Sequence, residues 1–138
     1  MNSDIFILGL YSVCMIVLVI LWLQSGFDKI SDFKGNFEWL NGHFSKSALK
    51  GMVKFMLITL TILEISAGFA GLGAIAEIWI FNTFYMPYMA CFLSMLSMAA
   101  LFFGQRMAKE YGGAASLMGY MAYIMLVLFF TFKLHPIF

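Results

Sequence analysis

Charge is what this chain has least of. Only 11% of its 138 residues are Asp, Glu, Lys or Arg, where an ordinary soluble domain carries roughly a quarter. With 63% hydrophobic residues and a mean hydropathy of +0.94, it has too little polar material to build a water-facing surface. Cysteine is nearly as sparse. Cys14 and Cys91 fall in separate apolar stretches and belong to no Cys-x-x-Cys pair, so neither a dithiol redox centre nor a zinc site is expected. Both are read as small apolar fillers. The beginning, Met1-Asn-Ser-Asp4, lacks the basic residues of a secretory leader, and no Ala-x-Ala-like site follows the first apolar run. That run is expected to be a retained helix. Phosphate-binding loops, dinucleotide fingerprints and a Ser/His/Asp set in one place are all missing.

What remains is arranged in four uncharged windows: Ile5 to Phe27, Phe55 to Ala76 apart from Glu64, Ile78 to Gln105, and Tyr111 to Phe132. Each holds a helix of about 20 residues, enough to cross about 30 Å of hydrocarbon. The expected fold is an all-α four-helix transmembrane bundle, with spans over about 5–24, 54–75, 87–105 and 113–132 in a single membrane domain. Lys29, Lys34, Lys46, Lys50 and Lys54 flank or occupy the first connection, and Arg106 and Lys109 the third; the opposite side has only Lys133. This asymmetry places the first and third connections in the cytoplasm and both termini outside. The expected location is a bacterial inner membrane, with periplasmic termini. Nucleic acid is not an expected partner, because the lysines of the first connection are mixed with Asp28, Asp32 and Glu38.

The first connection is the only long one. Phe27, Ile30, Phe33, Phe37, Leu40 and Phe44 recur at steps of three or four, which makes one apolar face of an interfacial helix. Gly35 and Gly42 are expected to break it into two short pieces that cap the bundle. His43 and His135 fall on opposite sides of the predicted membrane, so paired haem ligation within one chain is not expected.

Glu64 is the sharpest candidate for chemistry, as the one ionisable group in the second span. A lone carboxylate in a low-dielectric interior is costly to ionise unless a cation or several donors serve it. Gly68 and Gly71 follow at steps of four and three and share its face, which directs the carboxyl at a neighbouring helix or cavity. Three roles stay open: proton or ligand handling, a packing contact using Ser94, Ser97, Tyr120 or Tyr123, and an ion pair with another subunit. Tyr120 and Tyr123 are expected to point into the bundle. Lys29, beside Asp28 at the exit of the first span, is either a solvated helix end or a contact to the Arg106 and Lys109 region. Arg106 itself is read as a snorkelling headgroup or ligand contact.

The run Leu21-Trp-Leu-Gln-Ser-Gly-Phe-Asp-Lys-Ile-Ser-Asp-Phe33, together with Glu64-Ile-Ser-Ala-Gly-Phe-Ala-Gly-Leu-Gly73, resembles the DoxX-like family of small four-helix membrane proteins. That resemblance marks Gly26, Lys29, Glu64, Gly68 and Gly71 as the family-like positions. It implies quinone-linked redox accessories in several cases, while the cysteine pair of MauE-type relatives is missing. The leading expectation is an accessory integral subunit of a redox or envelope complex, contacting lipid or quinone around Glu64. The alternatives are a quinone-reactive subunit fed with electrons by a partner, and a small proton-linked transporter. Expected partners are membrane lipids, other membrane subunits or further copies of the chain, and quinone.

Overall fold

The computed structural model describes residues 3–137 and is all-α. Five helices follow in order: α1 (Ser3–Ser31), α2 (Phe33–His43), α3 (Val53–Ile80), α4 (Tyr85–Met107) and α5 (Tyr111–Leu134). All except α2 are long and apolar enough to cross a membrane, and the chain is a multi-pass membrane protein. The short α2 links the first two spans without crossing. Each spanning helix runs past both ends of its predicted span, because helical hydrogen bonding does not stop where the apolar run does. The second connection consequently shrinks to 81–84.

The α1–α3 register is antiparallel: Gly26 lies against Ile65, Gly68 against Leu23 and Gly71 against Val19. Helix α4 returns along α3, and α5 along α4, with Gly113 beside Gln105 at one end and Tyr88 against Phe132 at the other. The two tight turns place Asn82 and Lys109 at positive φ (51° and 61°). Asn tolerates that region better than most residues do. A single core runs through the bundle, built from Met15, Leu18 and Trp22 of α1, Ala67, Ala74 and Ile78 of α3, Cys91 and Met98 of α4, and Ile124 and Val127 of α5. The alanines of α3 explain why it sits between α1 and α4: small side chains let both neighbours come close.

The first connection departs from expectation in where it breaks. Helix α1 runs on to Ser31, carrying Phe27 and Ile30 with it, and the break falls at Asp32. The Asp32 carboxylate accepts the Gly35 backbone N–H at 3.0 Å, an N-cap that starts α2. Gly35 is thus inside the helix, and a Cβ there would strike the Asp32 carboxylate. Gly42 lies in the last turn of the same helix. Phe37 and Leu40 then pack with Phe44, Leu49 and Val53 into a second small cluster, which seats the connection under α3 and α4.

At the other end, Glu77 has a role that its sequence position does not advertise. Its carboxylate accepts the backbone N–H groups of Tyr85 (3.1 Å) and Met86 (2.6 Å) and the hydroxyl of Thr83. The first N–H groups of a helix have no partner within it. Glu77 supplies one from the preceding span and so fixes the α3–α4 turn.

Candidate functional site

The only buried ion pair among the described residues joins α1 to α3. Glu64 is fully buried, and its Oε2 accepts from Lys29 Nζ at 2.9 Å, with Oε1 at 3.2 Å from the same nitrogen. Lys29 is itself 15% exposed and donates also to Ser25 Oγ (2.8 Å) and Ser25 O (3.2 Å). An ammonium has three N–H groups to place, and these acceptors take all of them. The long lysine stem lies back along its own helix toward Ser25, which brings the charge inward from the end of α1. A cation near a helix C-terminus is also favoured by the local dipole.

The glycines explain how α1 and α3 approach closely enough. A Cβ on Gly26 would fall 2.5 Å from Ile65 Cδ1, and one on Gly71 would fall 2.7 Å from Val19 Cγ2. Gly68 meets the Leu23 side chain in the same way. All three occupy the seam beside the ion pair, so a larger side chain would push apart the helices that carry Lys29 and Glu64.

Lys29 and Glu64 are therefore brought together, along with Gly26, Gly68 and Gly71. The other sequence candidates lie elsewhere. Ser94 Oγ accepts the indole N–H of Trp22 at 2.8 Å, and Ser97 returns its hydroxyl to the Leu93 carbonyl of its own helix. Tyr123 donates to the Cys14 carbonyl at 2.9 Å, spanning α5 to α1. Tyr120 is exposed, contrary to expectation. The inward stripe of α5 runs Ala114, Leu117, Met121, Ile124, Val127 and Thr131, which leaves Tyr120 on its edge. Arg106 is exposed and lies over the Tyr111 ring, 4.6 Å from its centroid. None of Ser94, Ser97, Tyr120 and Tyr123 bonds to Glu64. Its partner is Lys29, which also does not reach toward Arg106 or Lys109.

Ser25 was missed by the sequence reading, although it lies four residues before Lys29 and hence on the same helix face. Also missed was the bond between Tyr11 and Thr131 (2.6 Å), buried between α1 and α5. His43 stacks on Trp39 in α2, and His135 sits by Tyr88 and Phe84 at the far end of the bundle. Among the described residues, no three of His, Cys, Asp and Glu cluster as metal ligands.

Glu64 lines neither of two cavities near the ends of the bundle. The first, about 250 Å³, is almost wholly apolar and lies between α2, the start of α3 and the end of α4, with Leu40, Phe44, Val53, Leu57, Leu101 and Gly104 in its wall. Gln105 also contributes to the wall; its Oε1, shut in close to Gly113, has no hydrogen-bond partner among the described residues. The second, about 270 Å³, is a hollow of mixed character between Asn82, Thr83, Phe84, Tyr85, Tyr88 and His135 at the opposite end. No family model, curated protein or solved structure matches the chain.

Proposed function

We propose that this protein is an accessory integral membrane subunit of a redox or envelope complex, held in a bacterial inner membrane with both termini on the periplasmic side. The observation that carries the reading is the outward face of α5. Gly112, Ala115, Gly119 and Ala122 follow at steps of three, four and three, and all four are exposed. A Cβ added at Gly112 or Gly119 would meet nothing within 4 Å. In lipid, such a line of small residues lets a second helix approach at backbone distance. The resemblance to DoxX-like proteins supports the same reading. In this proposal Lys29 and Glu64 form a clamp that holds α1 on α3, since each satisfies the other within one chain and no cation from a second subunit is required.

Purification in a mild detergent followed by mass spectrometry tests the proposal. Expected is a co-purifying membrane protein or a second copy of the chain, lost in Gly119→Leu while the helical content is kept. A wild-type chain that is monomeric in detergent and uncrosslinked in its native membrane would overturn it.

The second reading is a quinone-linked subunit fed by a partner. It is favoured by the apolar cavity under α2, whose lining suits an isoprenoid tail, and it moves the expected quinone contact away from Glu64. Quinone retained through purification, and lost when that cavity is filled, would support it.

A further inference from the structure

The apolar cavity under α2 has an unusual surrounding. Its wall is formed by Leu49, Met52, Val53 and Phe55 on one side and by Ala100, Leu101 and Gly104 on the other. Interleaved with the first group are Lys50 and Lys54, with Lys46 one turn earlier; all three are exposed, and none makes an ion pair among the described residues. Lys34, by contrast, is within 3.9 Å of Glu38, and Lys29 is occupied by Glu64. Arg106 and Lys109 at the same end also make no ion pair among the described residues, but they lie on the α4–α5 turn, with Arg106 over the Tyr111 ring; the three lysines are the uncommitted charges of the connection that roofs the cavity. An apolar slot inside the membrane-spanning layer, bordered by free ammonium groups at its headgroup edge, has the two-part chemistry of a phospholipid with a negative head.

We infer that the cavity between α2, α3 and α4 holds one acyl chain of an anionic phospholipid, whose phosphate is met by Lys46, Lys50 and Lys54. The size agrees: about 250 Å³ lies below the usual range for a whole compact ligand, as expected for part of a chain that continues into the bilayer. Basic side chains at a membrane surface favour anionic lipid by an amount that grows with each lysine and fades with salt. The seat also fits the position of α2. A lipid wedged beneath Phe44 and Leu49 would fasten the connection to the bundle without any further protein contact.

The test uses the full chain, purified in mild detergent and stripped of lipid, with phosphatidylglycerol and phosphatidylcholine of identical acyl chains offered separately. Native mass spectrometry reads the bound fraction, and a thermal unfolding scan checks the fold of each variant. Expected is one bound phosphatidylglycerol, preferred at least about fivefold over phosphatidylcholine at low salt. The triple variant K46Q/K50Q/K54Q should lose the preference and keep the weaker phosphatidylcholine binding. Ala100→Phe should weaken both lipids by about tenfold, because it fills the slot. Thr59→Phe, at another exposed lining position, provides the same reading if the first variant is unstable. Equal binding of the two lipids to the wild type, a preference that survives the lysine replacements, or lipid binding unaffected by both fillings would overturn the inference. So would recovery of a quinone or a second protein chain from the cavity.

Discussion

Lys29 and Glu64 make the strongest prediction, because the two halves of the pair are not equally replaceable. Glu64 is fully buried and its charge is met by Lys29, with the Ser25 hydroxyl beside the pair, whereas Lys29 keeps two contacts to Ser25 and some exposure. Lys29→Met therefore leaves a buried carboxylate without its cation, which should cost about 3–5 kcal/mol, because the remaining charge stays out of water with nothing to offset it. Glu64→Gln removes the acid but leaves an acceptor for a lysine that is still served by Ser25, and it should cost only about 1–2 kcal/mol. The double variant K29M/E64L buries two apolar side chains and should recover most of the loss. Reversible unfolding in mixed detergent and dodecyl sulfate, followed by circular dichroism, measures all four proteins. If Glu64→Gln is the more damaging single change, or if the double variant loses the sum of the two, the clamp is not what holds these helices.

Three further outcomes follow from other contacts. Ser94→Ala leaves the Trp22 indole N–H buried without its acceptor and should destabilise by about 1–3 kcal/mol, with a shift in tryptophan fluorescence. Glu77→Ala frees the amides of Tyr85 and Met86, and hydrogen exchange should accelerate at those two positions while the middle of α4 stays protected. Gly71→Leu drives a side chain into Val19 and should weaken the α1–α3 contact by at least about 2 kcal/mol in the same unfolding assay, whereas Gly119→Leu, on the open face of α5, should leave monomer stability within about 0.5 kcal/mol.

The four spans and the non-crossing connector were legible because charge is so rare that its positions divide the chain into lengths matched to a bilayer. The direction of Glu64 toward another helix was legible too, from the glycines that share its face. Its partner was not. Lys29 lies 35 residues away in sequence, and the two meet only because Gly26, Gly68 and Gly71 set an antiparallel register that no local pattern encodes. The rotation of α5 was also hidden. That helix is apolar nearly all round, so periodicity gave no preference between the face holding Tyr120 and the face one step away. The break at Asp32 is hard to see in the sequence because Gly35 looks like the interruption, whereas the carboxylate three residues earlier caps the new helix.

The bond between Tyr11 and Thr131 has a consequence for how the molecule is made. Its two hydroxyls stand 120 positions apart, one on α1 and the other on α5, so the first is synthesised well before the second. Until α5 enters the bilayer, the phenol of Tyr11 lacks the hydroxyl that serves it in the folded bundle. Insertion of α5 thus satisfies a group left open on α1, and a nascent chain stalled before it would present cellular quality control with an intramembrane hydroxyl still awaiting its mate.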